Sequence, residues 1–426
     1  MNQSHQNIWF MTNHRLTFFL SLLFYSPLVE GQSLKVDPSS LSGKIMCGYQ
    51  GWFNCEGDGA ELGWTHWARN RKAIPGPDNV TVDLWPDLSE YGPEERFATN
   101  FRLVDGSPAE IFSSYNRQTV LRHFEWMRDY GIDGAFIQRF ANGLRRGTMR
   151  EHKDAVLNHG REGARKAGRV YAVMYDLSGL RSGGTRRVQD DWKRLRRELR
   201  VTEDKAYLKH EGKPLVAVWG IGFGDGRAYT LEECRELVSF LKDDGCAVML
   251  GVPTGWREGV RDAVKDPGLQ SLIESVDVVS PWTVGRYRNP NQATRHADTF
   301  WRSDLAWCEQ RKIDFLPVVY PGFSWSNLKE GTALGAIPRL KGQFLWSQLI
   351  GAKRVGCNMI YVAMFDEVDE ATAIFKCTNH PPTGDGAKFL TYEGLPSDFY
   401  LRLTGAGGRM LRGEIPATDA LPITIE

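Results

Sequence analysis

Four carboxylates fall within five residues near the end of the chain, directly after an apolar run. They are Asp366, Glu367, Asp369 and Glu370, and the run before them covers residues 359–365. Cleavage of a glycosidic bond typically needs two carboxyl groups with different pKa values, one acid and one base or nucleophile. We therefore predict that Glu367 and Glu370 are the catalytic pair of a glycoside hydrolase.

Two other interpretations of this acidic segment stay open at the level of sequence, a solvated loop and a calcium loop. The apolar stretches on both sides of the segment, 359–365 and 371–375, count against a solvated loop. A calcium loop would space its oxygen ligands more widely and would turn at a glycine. No histidine pair is spaced for a metal on one helical face, so we expect neither a metal nor a cofactor.

Polar and aromatic residues also follow other apolar runs of the chain. Aromatic faces stack on sugar rings, while amides and carboxyls bind sugar hydroxyls. Nine residues are predicted to contact a glycan in this way: Tyr49, Trp52, Gln138, Asp176, Trp219, Trp282, Tyr320, Trp325 and Asp366.

These residues share a position, because each lies at or just after a predicted strand. Short, nearly continuous apolar runs are typical of strands buried on both faces, as in a parallel sheet. Eight such runs occur, at 44–49, 134–140, 170–176, 214–220, 247–252, 276–281, 315–320 and 359–365. Helical periodicity separates them, at 117–130, 154–167, 188–199, 231–242, 301–311 and 340–352, with Thr230 as a predicted N-cap. The alternation predicts one closed (β/α)8 TIM barrel, whose active site lies at the carboxyl ends of the strands.

The segment 51–114 interrupts this alternation after the first strand. It is rich in Gly, Pro and Trp and shows little periodicity. Long irregular insertions are usually functional. We predict a long loop insertion on the active-site face of the barrel.

Composition sets the protein class and its partners. The 53 basic and 52 acidic side chains give a formal net charge of +1, so no basic excess predicts nucleic-acid binding. The 14 Trp suit a glycan-binding cleft, although a large core could also use them. We expect residues 32–426 to form a single catalytic domain that acts as a monomer on an oligosaccharide or polysaccharide.

The first 31 residues have the features of an export signal. His14 and Arg15 precede the apolar run 16–25, Pro27 breaks it, and the small-residue site 29–31 follows. The run is too short to span a membrane. We therefore predict a secreted, periplasmic or cell-surface protein. The seven cysteines are expected to be mostly buried thiols, with a disulfide between Cys47 and Cys55 left open.

Three segments resemble glycoside hydrolase family 99, which is related to family 71. The most specific is 359–376, M-I-Y-V-A-M-F-D-E-V-D-E-A-T-A-I-F-K, supported by M-C-G-Y-Q-G-W-F at 46–53 and M-Y-D-L-S-G at 174–179. The resemblance covers about residues 35–400, and it implies a retaining endo-α-mannosidase or α-mannanase on a (β/α)8 barrel. The family pattern has glycine after the second glutamate, where this chain has Ala371.

The resemblance also implies separate roles for the two glutamates. Glu367 would deprotonate the 2-hydroxyl of the sugar, which attacks the anomeric carbon and gives a 1,2-anhydro sugar. Glu370 would protonate the leaving oxygen and then activate water. Two alternatives remain: the same barrel acting on an α-glucan, xylan or arabinan, and a glycan-binding protein without catalysis.

Overall fold

The fold is that of a computed structural model, which describes Met1, residues 35–384 and residues 386–424. Its strands are β1 (Ile45–Tyr49), β2 (Arg96–Arg102), β3 (Pro108–Phe112), β4 (Gly134–Phe140), β5 (Val170–Asp176), β6 (Lys209–His210), β7 (Lys213–Trp219), β8 (Ala247–Val252), β9 (Val278–Pro281), β10 (Asp314–Phe315), β11 (Val318–Val319) and β12 (Ile360–Val362). Its α-helices are α1 (Arg117–Asp129), α2 (Thr148–Ala167), α3 (Arg186–Arg197), α4 (Leu231–Asp243), α5 (Gly268–Ile273), α6 (Pro290–His296), α7 (Arg302–Arg311), α8 (Gln343–Val355) and α9 (Phe399–Leu411).

The parallel strands close into a barrel. Strand β1 pairs with both β4 and β12, and the order continues from β4 through β5, β7, β8 and β9 to β10. The predicted seventh strand is observed as two short pieces: β10 pairs with β9, and β11 pairs with β12. Eight strand positions therefore complete the ring, which confirms the predicted (β/α)8 fold.

Side-chain alternation divides the apolar residues between two cores. In β1, Met46 belongs to the core inside the barrel, whereas Ile45, Cys47 and Tyr49 belong to the core between the strands and the helices. Gly48 lies on the inner side, where a Cβ atom would come within 2.2 Å of Met364 Cε. A parallel strand buried on both faces has no polar side, which is why these strands read as apolar runs.

Local signals fix several helix ends. Thr230 Oγ1 accepts the Glu233 amide at 3.2 Å, and the Glu233 carboxylate accepts the Thr230 amide at 2.8 Å, so the predicted N-cap of α4 is confirmed as a capping box. Asn116 caps α1 in a similar way. Gly168, with a φ of 65°, ends α2 in the left-handed conformation that helix C-termini favour.

The segment after β1 is more regular than its sequence predicts. It contains the antiparallel hairpin of β2 and β3 and a 3-10 turn at Pro93–Glu95. Buried aromatic residues, among them Trp67, Trp85 and Phe112, pack in its interior. The expectation of little regular structure was therefore wrong for this hairpin, although the insertion does follow the first strand.

The other predictions at this level have mixed outcomes. Helices α5, α6 and α9 were not predicted. All seven cysteines are buried and free, so the structure does not contain the Cys47–Cys55 bridge that the sequence left open. The predicted export signal, 1–31, falls outside the described residues except for Met1. None of the helices in the described ranges is long and apolar enough to cross a membrane.

Candidate active site

A cavity of about 180 Å³ lies at the carboxyl ends of the barrel strands. It is lined by Gln50, Trp52, Gln138, Phe140, Met174, Asp176, Ser178, Trp219, Trp282, Met364, Glu367 and Glu370. Seven of these are predicted site residues, among them both predicted catalytic glutamates. The carboxyl ends of β4, β5 and β7 and the loops after β1, β5, β9 and β12 contribute, so residues distant in sequence meet at one end of the barrel.

Glu367 is buried and held on both carboxylate oxygens. Gln50 Nε2 donates to Oε1 at 2.7 Å, and Thr372 Oγ1 donates to Oε2 at 2.5 Å. Burial and the neighbouring carboxyls of Glu370 and Asp369 raise the pKa of Glu367, whereas the two hydrogen bonds lower it. The side chain is thus fixed in one orientation by donors that favour its ionised form.

Glu370 has a different environment. It is half-buried, and its side chain accepts no hydrogen bond from the described residues. Burial raises the pKa of Glu370 to about 8, and the charges of Asp369 and Asp176 add to this effect. A carboxyl group in this setting keeps its proton at neutral pH.

The two glutamates therefore titrate as a pair with unequal members. Two carboxylates that share one cavity repel each other, so the pair holds a proton near neutral pH. Glu367 has two donors and Glu370 has none, so the proton is more stable on Glu370. Once Glu370 is neutral, its charge no longer raises the pKa of Glu367. The arrangement supplies one acid and one base, as glycoside cleavage requires.

Asp176 ends β5 and forms part of the same cavity. One of its carboxylate oxygens accepts the backbone amide of Ser178 at 2.6 Å. Burial raises the pKa of Asp176 to about 6, although this hydrogen bond opposes the shift. Asp176 is therefore mostly ionised at neutral pH and can accept a hydrogen bond from a sugar hydroxyl.

Aromatic rings form the walls of the cavity. Trp219 and Trp282 meet edge to face, with ring centroids 5.4 Å apart, and Trp52 packs on Phe140 at 5.2 Å. Four buried polar atoms of lining residues have no hydrogen-bond partner in the described chain: Gln50 Oε1, Gln138 Oε1, Trp52 Nε1 and Trp219 Nε1. Unpaired buried polar atoms are costly, so groups of this kind at a cavity are suited to a hydroxylated ligand.

Two predicted substrate contacts, Tyr49 and Tyr320, need correction. Tyr49 points outward from β1, and its hydroxyl lies 2.9 Å from Nδ1 of the buried His123 on α1. Burial lowers the pKa of His123 to about 3, so this ring is neutral. The Tyr320 hydroxyl donates to the backbone carbonyl of Tyr287. Both tyrosines are fully buried outside the cavity lining and act in packing.

Asp366 and Trp325 also lie outside the lining. The Asp366 carboxylate accepts the backbone amides of Gln50 and Gly51, each at 2.8 Å, and so joins the loop after β12 to the loop after β1. Burial raises the pKa of Asp366 to about 7 against the effect of these two bonds. Trp325 packs on Phe323 at 5.1 Å instead. Asp366 therefore positions the site without facing the cavity.

Five lining residues were not selected from the sequence: Gln50, Phe140, Met174, Ser178 and Met364. Gln50 and Phe140 do lie at the predicted ends of strands one and two. The alternation of strand residues could have found Gln50, since Tyr49 before it faces outward. Met174 and Met364 carry no such signal, because methionine in an apolar run reads as core.

The acidic loop after β12 is fixed by the insertion. His66 Nδ1 lies 2.9 Å from Asp369 Oδ2, and the His66 ring stacks on Trp52 at 3.9 Å. The backbone carbonyl of Val368 accepts the amides of Asp83 and Leu84. The insertion therefore holds both a wall of the cavity and the loop that carries the glutamates.

Potential metal ligands cluster elsewhere. Within the ranges described, the group of three that lies close enough to share an ion is His210, Glu211 and Asp314. These residues lie near the amino ends of β7 and β10, at the opposite end of the barrel from Glu367.

Comparison with known proteins extends the description of the fold. No family model and no curated protein matches the sequence. The endo-α-mannosidase of glycoside hydrolase family 99 from Bacteroides thetaiotaomicron aligns with a TM-score of 0.64 at 16% identity, over 88% of this chain and 99% of that one. A structure of the family 99 enzyme from the same organism in complex with bis-tris-propane gives 0.62 at 14% identity, over 88% and 100% of the two chains. The likeness confirms the family 99-like barrel fold that the sequence resemblance implies.

Proposed function

We propose that the protein is a retaining glycoside hydrolase that cleaves α-mannosides within glycan chains. The observation that carries this proposal is the unequal pair of glutamates, one hydrogen-bonded and one without donors, in a cavity with aromatic walls. Neither a solvated acidic loop nor a packing role explains why a buried and a half-buried carboxyl group face one cavity. The likeness in fold to a family 99 endo-α-mannosidase supports the same substrate class.

The route implied by the resemblance assigns each glutamate a step. Glu367 takes the proton of the sugar 2-hydroxyl while that oxygen attacks the anomeric carbon. The bond from the anomeric carbon to the leaving oxygen breaks, and Glu370 gives its proton to that oxygen. Glu370, now ionised, then removes a proton from the water that opens the 1,2-anhydro ring, and Glu367 returns its proton to the 2-oxygen. Two inversions at the anomeric carbon give net retention.

This route restricts the substrate. The 2-oxygen must attack from the face opposite the leaving group, so the two substituents must be trans across the bond between carbons 1 and 2. An α-mannoside meets this condition, whereas an α-glucoside has the two groups cis. Among the alternative substrates, an α-glucan is therefore disfavoured, while xylans and arabinans with a 1,2-trans linkage remain compatible.

Substitution of the two glutamates tests the catalytic assignment. Glu367→Gln and Glu370→Gln should each lower kcat/KM on a cleaved glycan by about 10²–10⁴, the usual contribution of a general acid or base. The melting temperature should change little, because the pair already holds a proton. Glu330→Gln is a matched control, since that side chain is 91% exposed. Normal turnover by either cavity variant would overturn the assignment.

A polysaccharide panel tests the sugar. Wild-type protein should release oligosaccharides from an α-mannan, and the first product should have the α configuration when followed by NMR. Cleavage of a xylan or arabinan alone would keep the glycosidase and replace the substrate. Binding of glycans without cleavage of any of them would favour the non-catalytic alternative.

We also propose that the protein is exported. The apolar run 16–25 with its basic flank and small-residue site supports this proposal. Sequencing of the mature amino terminus should start near residue 32. A mature protein that retains residues 1–31 would contradict it.

A further inference from the structure

A second cavity, of about 650 Å³, adjoins the one that contains the glutamates. The two share Trp52, Phe140 and Ser178 as lining residues, so they lie side by side at the same end of the barrel. The first cavity has three carboxyl groups in its lining. The described residues that line the second include no aspartate and no glutamate. The lining of the first cavity is therefore acidic, whereas the described lining of the second cavity, which shares Trp52 and Phe140 with it, is free of carboxyl groups.

Lys153 gives the second cavity a positive charge. It lies in the second turn of α2, and its Nζ is 5.4 Å from the centre of the Phe140 ring. Within the described chain, no carboxylate forms an ion pair with Lys153. The negative charges of Asp176 and Asp191 raise the pKa of Lys153 without a direct contact. The nearby acidic group Asp154 instead pairs with Arg139 and Arg194.

The two histidines of the second cavity are already engaged. His152 Nδ1 lies 3.0 Å from Asn54 Nδ2, and its Nε2 lies 2.8 Å from the carbonyl oxygen of Gly51. Burial lowers the pKa of His152 to about 4, so its ring is neutral. His66 is bound to Asp369. Lys153 is thus the cation in this lining that keeps its hydrogen-bond donors for a ligand.

The charge on Lys153 is only partly compensated. Burial lowers the pKa of Lys153 to about 8, the positive charge of Arg139 acts in the same direction, and the carboxylates of Asp176 and Asp191 oppose the shift without reversing it. An ammonium group in such a place gains more from an anion than an exposed lysine does, because less solvent screens the interaction.

The geometry points to a substrate that carries an anionic group: the second cavity accepts a sugar bearing a carboxylate or phosphate, which Lys153 binds next to the Trp52 and Phe140 rings. This inference rests on the proposed function for its placement beside the catalytic pair. It goes beyond that function by naming charge as a determinant of specificity. A neutral mannan would fill the first cavity but leave Lys153 without a partner.

Matched glycans test the inference. The probes are oligosaccharides of a neutral α-mannan, the same oligosaccharides with primary hydroxyls oxidised to carboxylates, and the same again with phosphate esters. Titration calorimetry with the Glu370→Gln variant measures binding without cleavage. We expect at least one charged form to bind about tenfold more tightly than the neutral form, and the two charged arms identify which anion fits. Equal binding of all three would overturn the inference.

Three further variants, each made in the Glu370→Gln background, separate a local site from general attraction. Lys153→Met should abolish the preference for the charged form, while Lys153→Arg should retain most of it. Lys166→Met is the matched control, because Lys166 is an exposed residue of the same helix that pairs with Glu162, and it should leave the preference intact. Preserved preference in a folded Lys153→Met protein would overturn the inference.

The outcomes for the two proposals can be told apart. Selective binding of a charged glycan by wild-type protein that cleaves none of the probes would overturn the hydrolase and leave the anion site standing. Cleavage of neutral and charged forms with equal kcat/KM, together with equal binding, would uphold the hydrolase and overturn the anion site.

Discussion

At the scale of single residues, the proposed function depends on one proton held by Glu370. The proposed acid must be protonated, and its pKa is raised to about 8. We therefore expect kcat/KM to fall about tenfold per unit as the pH rises above 8, and to fall again on the acid side, where Glu367 takes up a proton. Because Asp176 contributes to this shift, Asp176→Asn should move the alkaline limb to lower pH. A pH profile of both proteins checks this, and a limb that stays in place would contradict it.

The backbone after Glu370 gives a second residue-scale prediction. Ala371 has a φ of 50°, in the left-handed region where a Cβ atom is unfavourable. The family pattern has glycine at this position, and the conformation explains why. Ala371→Gly should raise the free energy of unfolding by about 0.5–1 kcal/mol, measured by urea denaturation. A destabilised variant would show that the Ala371 methyl group contributes more through packing than it costs in strain.

At this scale, the sequence located residues of the cavity lining where their place at the end of a predicted strand could be recognised. Trp219 and Asp176 end predicted strands and do line the cavity. Tyr49 and Tyr320 also end strands, yet both side chains are buried elsewhere. Which face a terminal residue presents depends on the register of neighbouring strands and on partners such as His123, and neither is visible in one sequence.

At the scale of elements, the insertion after β1 is attached to the barrel through Asp83. Its buried carboxylate accepts hydrogen bonds from the Ser324 hydroxyl and from the backbone amides of Ser326 and Asn327. Asp83→Ala would leave these donors without a partner, so we expect a loss of about 2–3 kcal/mol of stability. Asp105→Ala is the control, because Asp105 is exposed at the tip of the hairpin and bonds only Ser107. Equal melting temperatures for the two variants would contradict this.

Elements differ in how visible they are in the sequence. Buried parallel strands and amphipathic helices have strong patterns, and their ends were predicted to within about six residues. Helix α9 was missed because it contains the glycines Gly405, Gly407 and Gly408, which disfavour a helix in isolation. The structure supplies the reason for one of them, since a Cβ on Gly405 would lie 1.7 Å from the carbonyl oxygen of Tyr130. Close packing of α9 against the backbone at Tyr130 therefore outweighs the low helix propensity of glycine.

At the scale of the whole molecule, the barrel interior is filled so closely that a side chain at Gly48 would require Met364 and Tyr361 to move. A Cβ on Gly48 would lie 2.2 Å from Met364 Cε and 2.4 Å from the Tyr361 hydroxyl. Gly48→Ala should cost about 1–3 kcal/mol by overpacking, and it should also lower activity, because Met364 lines the cavity. Gly76→Ala is a milder control, since its nearest neighbour, Asn100 Cβ, is 3.2 Å away. Thermal unfolding and kcat/KM of both variants check this, and a Gly48→Ala protein as stable as the control would contradict it.

The barrel could be predicted because its strongest pattern, eight alternating strand and helix units, extends over most of the chain. The residues proposed to bind the anionic group of the glycan could not all be predicted. Lys153 comes from a helix and His66 from the insertion, and only the folded barrel brings them into a cavity that adjoins the one containing Glu367 and Glu370. The proposed catalytic pair lies in one short segment, whereas the proposed determinants of specificity come from distant segments that meet in space.

The seven buried cysteines have a consequence for how the molecule opens. They lie in or beside β1, the insertion, α4, β8, α7, α8 and the loop after β12, and burial raises the pKa of the thiols, to about 12 for Cys234, Cys246, Cys357 and Cys377. A thiol reagent can modify such a group only during a fluctuation that exposes it. The cysteines therefore report on local unfolding. The order in which an alkylating agent modifies them shows which parts of the barrel open first.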